Sequence, residues 1–372
     1  MNNYESKLKS SRYFCVILAA GFSSRMGVHK PLLPVGDCAA IVRTVRSVYA
    51  AGVVPIVITG HRAENIVAAL AETDAVIVHN AGFADGMFTS VALGARYVAD
   101  LDARAFFLLP ADCCAIAPQT FSALVGAFEQ CEKIVYPAHG GVRAHPPIIP
   151  AKLAPSLAAH TPDNTGAKGF FAQYPSQTLE VSDAGTLRDM DTPSDYAEIL
   201  RYLNFPTFPD ISRAYEMFAK YKTASDIIAH GEQVADFCSR AGERLQKLGV
   251  QVKIPLLCSA ALLHDICRAE SEHERRGFEL LLREGYPDAA RLVLGHMTPP
   301  ENVASIELEL LYAYDKLLRR GELATPQQTL ETLRRRFAGN EAALLAAEQK
   351  MMACAEIIAK YEHRYSFHLM NV

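Results

Sequence analysis

The first two hundred residues of this chain alternate short apolar runs with helical patterns, and this alternation stops near residue 203. The apolar runs are continuous stretches of Val, Ile, Leu and Phe, as expected for strands that are covered on both faces. They span 13–18, 54–59, 75–79, 105–109 and 134–136, with helical segments near 39–51, 62–72, 87–100 and 118–130. This order predicts an α/β domain with a mostly parallel sheet, which binds ligands at the carboxyl ends of its strands.

The pattern after residue 203 is different. The segment 204–210 has the sequence NFPTFPD, whose two prolines suit no regular element and indicate a linker. We identify no strand beyond it, and helical patterns lie near 212–219, 223–248, 255–267, 272–284, 287–296, 302–320, 327–337 and 341–361. The sequence therefore predicts an α/β domain at 12–203, a linker at 204–211 and an all-α domain at 212–372.

Composition excludes several classes of partner. Half of the residues are hydrophobic and the net charge is −4, which gives no general attraction to nucleic acid or to an anionic membrane. The longest apolar stretches, such as 254–263, are far shorter than the ~20 residues that span a bilayer. The nine cysteines include no C-x-x-C pair, and no apolar signal region precedes the first strand. We expect a cytoplasmic protein with reduced thiols and with neither a nucleic-acid nor a membrane partner.

The first predicted strand runs directly into the loop 19–34, AAGFSSRMGVHKPLLP. Gly21 and the small residues beside it allow the backbone to approach phosphates, and loop N–H groups can bind anions. Arg25 and Lys30 add positive charge that can hold a triphosphate and stabilise charge developing at its α-phosphorus. The spacing fits neither G-x-G-x-x-G nor G-x-x-x-x-G-K-[ST], so the dinucleotide-binding and P-loop interpretations fail.

A carboxylate follows the strand predicted at 105–109. Asp112 ends the sequence Pro-Ala-Asp, which places it at the carboxyl edge of the sheet. Magnesium takes hard oxygen ligands and usually couples carboxylates to substrate phosphates. Asp112 is therefore a candidate magnesium ligand, and the alternative is a turn or helix cap.

The loop 18–34 resembles the signature L-A-A-G-x-S-x-R-M-G-x-x-K-x-L-L-P of nucleotidyltransferases related to the molybdenum-cofactor cytidylyltransferases, the MobA-like NTP transferases. The resemblance covers roughly 12–203 and implies a Rossmann-like fold of the nucleotide-diphospho-sugar transferase type. It implies that Arg25, Lys30, Asp112 and Asp191 are catalytic and that Asp112 and Asp191 hold Mg²⁺. The nucleotide-binding residues that it implies are Leu18, Ala19, Ala20, Gly21, Arg25, Lys30, Asn80, Ser90 and Asp112.

Asp191 belongs to the segment 189–195, DMDTPSD, which resembles the family's D-x-D-T-P-x-D element. Within it, Asp195 is expected to cap or support a helix. Asp189 has two interpretations, a site residue or a solvated loop charge.

Three further segments are similar to the acceptor side of the family. The segment 80–91 resembles its N-x-x-[x]-G-M-x-x-S stretch, and 145–149 and 164–168 resemble its H-P and D-x-G-A-R segments. Asn164 and Lys168 stand where the family has Asp and Arg, and the second change loses bidentate geometry. The acceptor is accordingly molybdopterin or another phosphorylated compound such as a sugar or alcohol phosphate, with a molybdoenzyme as a further candidate partner.

The resemblance implies attack of the acceptor phosphate on the α-phosphorus of a nucleoside triphosphate, with pyrophosphate as the leaving group. The Ala-Ala-Gly start is more similar to CTP-using relatives than to the Ala-Gly-Gly of the guanylyltransferases. The expected transfer is therefore that of CMP from CTP.

The second half places polar side chains at inward positions of its predicted helices. The helical stripes put His230 and His264 inward, with Asp265 beside His264, and Asp315 stands where a leucine would be expected. Burial of an unpaired carboxylate is strongly unfavourable, so Asp315 needs a cation. A single inward histidine is usually a hydrogen-bonded core residue, but two of them with two carboxylates favour a metal site. Imidazole and carboxylate together suit Fe, Mn, Zn or a similar ion.

The order His230, His264-Asp265, Asp315 resembles the HD phosphohydrolase superfamily over roughly 212–320, and YDKLLRRG at 314–321 resembles its A-D-K-L-x-x-G ending. The resemblance implies metal-dependent hydrolysis of a phosphoester, with Asp265 as a catalytic residue. Relatives with a binuclear centre have additional histidines, for which His273 and His296 are candidates; the alternative is that they are exposed. Lys316 or Arg268 contacts the phosphate, or both are surface charges.

An alternative of a different class is a carrier without catalytic activity. In that case the first domain binds finished molybdenum cofactor for delivery, and the HD domain senses nucleotides. Lys30, Asp112, Asp191 and the complete set of HD ligands argue against it, because a carrier would tolerate the loss of metal ligands.

Overall fold

The computed structural model describes residues 11–161, 165–300, 304–319 and 321–372. They form two compact units, one up to Phe205 and one from Pro206 onward. Among these residues, none of the helices combines the length and apolar character needed to cross a lipid bilayer.

An eight-stranded sheet forms the centre of the first unit. Its strands are β1 (Tyr13–Ala19), β4 (Val54–Thr59), β5 (Val76–His79), β6 (Ala105–Pro110), β7 (Ile134–His139), β8 (Val142–Arg143), β9 (Ile148–Pro150) and β10 (Ser176–Glu180). Their order is β10-β7-β9-β6-β1-β4-β5, with β8 paired to β7. A separate short hairpin pairs β2 (Pro34–Val35) with β3 (Cys38–Ala39).

The sheet is mainly parallel, as the alternating pattern predicted. β1 pairs in parallel with β4 and β6, β4 with β5, and β7 with β10. β9 is antiparallel to both β6 and β7, and β8 is antiparallel to β7. The sequence did not reveal β9, which has only three residues, or β10, which is a largely exposed strand without an apolar run.

Helices cover both faces of this sheet. They are α1 (Ala40–Ala50), α2 (Ala63–Ala69), α3 (Met87–Ala99), α4 (Pro118–Cys131), α5 (Ala154–Ala159), α6 (Gly166–Ala172) and α7 (Pro193–Tyr202). In β1, Cys15 and Ile17 belong to one core, and Phe14 and Val16 belong to the core on the opposite face. Because successive side chains of a strand point to opposite faces, burial on both sides requires the continuous apolar run seen in the sequence.

The chain order reverses at β1, which has β4 on one side and β6 on the other. In open α/β sheets, ligands bind in the crevice at such a point, beyond the carboxyl ends of the strands. The segments that follow β1, β5 and β6 therefore meet at one edge, and they carry Lys30, Asn80 and Asp112.

The second unit is helical, as predicted. Its helices are α8 (Ile211–Tyr221), α9 (Ser225–Lys247), α10 (Ile254–Leu263), α11 (His273–Arg283), α12 (Pro287–Gly295), α13 (Ile306–Leu317), α14 (Pro326–Arg336) and α15 (Glu341–Tyr365). The structure differs from the sequence prediction at the ends of two helices. α10 stops at Leu263, so His264 and Asp265 follow the helix, and α13 gives way to a hairpin of β11 (Leu318–Arg319) and β12 (Glu322–Leu323).

Gly94 fixes how closely α3 approaches the sheet. A Cβ atom at this position would overlap a methyl group of Val16 in the middle of β1, whereas a Cβ at Gly126 in α4 would meet nothing within 4 Å. Val16 is fully buried and β-branched, so it has little freedom to move aside.

We predict that Gly94→Ala lowers the free energy of unfolding of the first unit by roughly 1–3 kcal/mol through overpacking. The matched change Gly126→Ala should instead raise it by roughly 0.5–1 kcal/mol, because alanine is the better helix former. Urea unfolding followed by circular dichroism measures both. Equal effects of the two substitutions would contradict the close α3–β1 contact.

Candidate functional site

A cavity of about 480 Å³ opens at the carboxyl edge of the sheet in the first unit. Nearly all the residues that the sequence predicted to bind the nucleotide or magnesium line this cavity. Those that line it are Leu18, Ala19, Ala20, Gly21, Arg25, Lys30, Ser90, Asp112 and Asp191.

Lys30 connects the two carboxylates of this cavity. Its Nζ donates hydrogen bonds to Oδ2 of Asp112 at 2.9 Å and to Oδ1 of Asp191 at 2.8 Å. Arg25 donates from Nη1 to Oδ2 of Asp191 at 2.6 Å. One ammonium therefore joins the segment after β1 to the end of β6 and to the segment before α7.

The pKa shifts follow from these contacts. Burial lowers the pKa of Lys30, but hydrogen bonds to Asp191 and Asp112 outweigh it, so the net pKa is raised. The hydrogen bond from Lys30 holds the pKa of Asp191 below its usual value. At Asp189, partial burial and then the charges of Asp191 and Asp112 raise the pKa. Two carboxylates thus meet at one lysine, a setting suited to a divalent cation and to phosphates, and their charges influence a third carboxylate, Asp189.

Two polar residues support the cavity from outside its wall. The buried side chain of Asn80 donates from Nδ2 to the hydroxyls of Thr89 and Ser90, both at 2.9 Å, and its Oδ1 accepts from the N–H of Gly82 at 3.0 Å. Asn80 therefore holds its own loop, and Ser90 is the one that lines the cavity. Asp195 closes a capping box with Thr192 at the start of α7, the helix-capping role expected for it.

The structure describes some of the residues predicted on the acceptor side. Asn164 lies outside the described residues, and Lys168 lies in α6. The N–H of His145 donates to the carbonyl oxygen of Thr186 at 3.2 Å, and burial lowers the pKa of its ring. The charges of Asp112 and Asp189 oppose that change.

Sequence reasoning missed the apolar side of the cavity. Phe22, Phe83 and Met87 line it, and the side chains of Phe22 and Met87 are 56% and 74% exposed. The ring of Phe22 lies at a tilt to the rings of His61 and Phe83, with ring centroids 5.0 Å and 5.4 Å away. A large aromatic residue in a loop of small and polar residues was the available signal for this wall.

In the second unit, histidines and carboxylates from α9, from α13 and from the segment after α10 meet. Nε2 of His230 lies 3.2 Å from Oδ1 of Asp315, and Nε2 of His264 lies 3.3 Å from the same oxygen. His264 also lies 3.4 Å from Oδ2 of Asp265. One ligand atom from each of these four residues lies within 4.8 Å of the others, which is close enough for a single metal ion.

Asp265 belongs to a second group as well. Its Oδ1 lies 3.3 Å from Nε2 of His273 and 3.7 Å from Nε2 of His296. These three residues also fit one ion, so the two oxygens of Asp265 face two different groups of ligands. Of the two interpretations of His273 and His296, the structure favours the one that brings both to the centre.

The hydrogen bonds of two histidines indicate which of their nitrogens can bind a ligand at this centre. Nδ1 of His264 lies 2.7 Å from the carbonyl oxygen of Ala261, and Nδ1 of His296 lies 2.6 Å from that of Val293. Because a carbonyl only accepts, each Nδ1 carries a hydrogen, and Nε2 is the nitrogen that is left to bind a metal ion. Those Nε2 atoms are buried and have no partner of hydrogen-bond geometry within the described residues, and the same holds for Oδ1 of Asp265. This donor set fits divalent cations.

The carboxylates of this centre remain ionised despite burial. Burial raises the pKa of Asp315, but Lys316 and His264 outweigh it and hold that pKa well below its usual value. Burial lowers the pKa of His264, yet the charges of Asp315 and Asp265 raise it to about 10. The buried carboxylates therefore attract positive charge strongly to this point.

Gly231 allows the helices to close around the centre. A Cβ atom there would overlap the carbonyl oxygen of Leu262, so only glycine lets α9 approach α10 this closely. His230 is the neighbouring residue and reaches Asp315 from α9.

Two basic side chains contact the carboxylates. Lys316 is only 12% exposed and donates to Oδ2 of Asp315, so it is not a surface charge. Arg268 is 54% exposed and donates to Oδ2 of Asp265 at 2.5 Å.

Comparison with known proteins gives a match in each unit. Residues 15–178 match the model of the MobA-like NTP transferase domain, and residues 227–320 match that of the HD domain. The molybdenum cofactor cytidylyltransferase of Escherichia coli (strain K12) is 26% identical over 183 residues, which are 49% of this chain and 92% of that protein. Both resemblances inferred from the sequence are confirmed.

Solved structures match over the first half of the chain. The crystal structure of Rv0371c from Mycobacterium tuberculosis H37Rv is 27% identical with a TM-score of 0.44, and it covers 51% of this chain and 98% of that one. A nucleotidyl transferase from Methanothermobacter thermautotroptrophicus is 24% identical with a TM-score of 0.45, and it covers 52% of this chain and 98% of that one.

His29 is a buried histidine beside the cavity, and it directly precedes Lys30. It is 8% exposed, and neither ring nitrogen has a hydrogen-bond partner within the described residues. Burial, with a smaller contribution from His61, lowers its pKa to about 4. The folded protein therefore keeps this imidazole neutral at pH values where the unfolded chain protonates it.

We predict that the stability of the first unit falls as the pH drops from about 6.5 to about 4, because only the unfolded state then binds this proton. The contribution of His29 approaches about 3 kcal/mol, at 1.36 kcal/mol per pKa unit. His29→Leu should make the free energy of unfolding less dependent on pH in this window. The exposed-site control His79→Leu should leave the dependence as in the wild type. Parallel pH profiles for both variants would contradict the assignment.

Proposed function

We propose a bifunctional enzyme, on the premise that the chain carries a MobA-like NTP transferase domain at its N-terminus and an HD domain at its C-terminus. The first domain transfers CMP from CTP to molybdopterin or a related phosphorylated acceptor and releases pyrophosphate. The HD domain hydrolyses a phosphoester with divalent metal ions. The observation that carries the first activity is the bridge from Lys30 to Asp112 and Asp191 inside a cavity at the sheet edge.

The cavity contains the groups that nucleotidyl transfer requires. Asp112 and Asp191 would hold Mg²⁺, and Lys30 and Arg25 would turn to the triphosphate. An oxygen of the acceptor phosphate forms a bond to the α-phosphorus, and the bond from that phosphorus to the bridging oxygen of the β-phosphate breaks. The protein supplies orientation and charge neutralisation, and it needs no covalent intermediate.

The identity of the substrates rests on the comparisons and on the loop. The E. coli relative is named for cytidylyl transfer to molybdenum cofactor, and Ala19-Ala20-Gly21 lines the cavity here. A sugar or alcohol phosphate is the second candidate acceptor. The observation in its favour is that Lys168 and Asn164 replace the arginine and aspartate of the family's acceptor side.

For the second domain we propose a binuclear centre. His230, His264, Asp265 and Asp315 would hold one ion, and Asp265, His273 and His296 would hold the other, with Asp265 shared between them. When bound, such ions supply Lewis acidity for the attack of water on a phosphoester. Lys316 and Arg268 stand beside the carboxylates, where each can pair with a phosphate oxygen.

The first activity is tested by pyrophosphate release. Purified protein is incubated with Mg²⁺, molybdopterin and each nucleoside triphosphate in turn. We expect turnover with CTP, and a decrease in kcat/KM of about 10²–10³-fold for Lys30→Ala, the loss typical of one preorganised positive or hydrogen-bonding group. The exposed-site control Lys152→Ala should behave as wild type.

The outcomes of this assay separate the alternatives. Turnover of GTP alone would contradict the choice of CTP. Turnover only with a sugar or alcohol phosphate would replace the acceptor. No turnover of any nucleotide with any phosphorylated acceptor would favour the carrier.

The second centre is tested by metal analysis of protein expressed with Mn²⁺ and then dialysed. We expect about two ions per wild-type chain, about one in His296→Ala and fewer than two in Asp315→Ala, since each variant loses a ligand of a different group. The exposed-site control His368→Ala should keep the wild-type content. Wild-type content in Asp315→Ala would mean that no such site exists.

A further inference from the structure

The segment 366–372 follows α15 and lies outside the residues that match the HD domain, which end at 320. It packs against the second unit, since Phe367 and Leu369 are 5% and 1% exposed. Its hydrogen bonds reach two helices, α9 and α13. These helices carry His230 and Asp315, two of the four candidate ligands of one metal ion. Residues 366–372 are called the bridging segment below.

Tyr314 connects the bridging segment to α13. Its side chain is 1% exposed, and its hydroxyl donates a buried hydrogen bond to the carbonyl oxygen of Leu369 at 3.0 Å. Tyr314 directly precedes Asp315 in the chain. The hydrogen bond therefore holds α13 at the turn that presents the metal-binding carboxylate.

Phe237 joins α9 to α13 at the same place. Its ring is stacked on that of Tyr314, with centroids 5.8 Å apart and an angle of 26° between the planes. The guanidinium of Arg240 lies over the Phe237 ring, 4.3 Å from its centroid. Because aromatic stacking and cation–π attraction act only at short range, this row of three side chains holds the two helices close together.

Two arginines of α9 bind the bridging segment. Arg240 donates from Nη1 to the backbone oxygen of Val372 at 3.0 Å, and Arg244, one turn later, donates to the backbone oxygen of Asn371. Hydrogen bonds from a guanidinium are charge-assisted and are stronger than those between neutral groups. The segment is thus bound to α9 at two points and to α13 at one, so it links the two helices.

The group of four ligands depends on the spacing of these helices. Nε2 of His230 on α9 lies 3.2 Å from Oδ1 of Asp315 on α13. Ligands that are already held in place bind more tightly, because less conformational entropy is lost when the ion enters. The other group consists of Asp265, His273 and His296, and none of them lies on α9 or α13. Only the group of four should therefore depend on the bridging segment.

We infer that Tyr314 and the bridging segment position the group of four ligands, because they hold α9 and α13 at the spacing that brings His230 and Asp315 together. This inference rests on the metal centre of the proposed function, and it gives a role to residues beyond the HD match. Tyr314 is a positioning residue that acts through its neighbour Asp315 and is not itself a ligand.

The link between the helices is tested first on the metal-free full chain. Hydrogen exchange measured by mass spectrometry reports the local opening of each helix. We expect Tyr314→Phe to speed exchange in α9 and α13 about fivefold, the size of one lost buried hydrogen bond, and to leave α11 unchanged. The control Tyr221→Phe removes a tyrosine hydrogen bond from α8 to Glu284 and should leave exchange in α9 and α13 as in the wild type.

Mn²⁺ affinity then separates the two groups of ligands. His296→Ala retains the group of four and His230→Ala retains the group of three. Every chain also carries Asp112→Asn, so that the cavity of the first unit contributes little. Adding Tyr314→Phe should weaken Mn²⁺ binding about fivefold in the His296→Ala chain and leave it unchanged in the His230→Ala chain. The electron paramagnetic resonance signal of free Mn²⁺ measures the affinity, and thermal melting verifies that each chain is folded.

A second variant tests the other attachment of the bridging segment. Arg240→Gln combined with Arg244→Gln removes the hydrogen bonds to α9 and leaves α13 unaltered. In the His296→Ala chain, this change should also weaken Mn²⁺ binding. Lys247→Gln, which removes an exposed lysine from the last turn of α9, is the matched control and should have no effect.

The inference and the metal centre can fail separately. Unchanged Mn²⁺ affinity after Tyr314→Phe in the His296→Ala chain overturns the inference, and so does an equal loss in the His230→Ala chain, which would mean a general loss of structure. If the His296→Ala chain binds no Mn²⁺ although Tyr314→Phe speeds exchange in α9 and α13, the metal centre fails and the positioning role fails with it, whereas the link between the helices stands.

Discussion

Asp265 faces two groups of histidines at once, and the helices of the second unit are arranged around that requirement. Its two oxygens point in different directions, one toward His264 and the other toward His273 and His296. A buried carboxylate without positive charge is strongly destabilising, so the surrounding side chains have to supply or attract that charge. The close α9–α10 contact at Gly231 and the backbone acceptors for His264 and His296 serve this end.

The first unit meets the same physical demand in a different way. There the carboxylates stand at the edge of a sheet, where solvent still reaches them, and Lys30 satisfies two of them with one ammonium. This contact joins segments that are distant in sequence, and the cavity depends on their meeting. Asp195 and Asn80 add local support, one by capping α7 and one by holding the loop before α3.

Much of this arrangement could be predicted from the sequence, and the exceptions have physical causes. The central strands were evident because burial on both faces requires continuous apolar runs, while β9 was too short and β10 too exposed to give that signal. The positions of His230 and Asp315 followed from helical spacing. The sequence did not decide whether His273 and His296 belong to the same centre, because their approach to Asp265 depends on how α11 and α12 pack.

Both sites keep basic side chains on the carboxylates that are proposed to hold metal. Lys30 and Arg25 do so in the first unit, and Lys316 and Arg268 do so in the second. If a divalent ion and a phosphate enter together, the carboxylates turn to the ion and the basic groups turn to the phosphate. Every charge then exchanges one partner for another and none is left buried alone, which avoids the large cost of an unpaired charge. Entry of the ion without the phosphate would displace the largely buried Lys30 and Lys316 and leave them unpaired, so each ligand should favour the binding of the other.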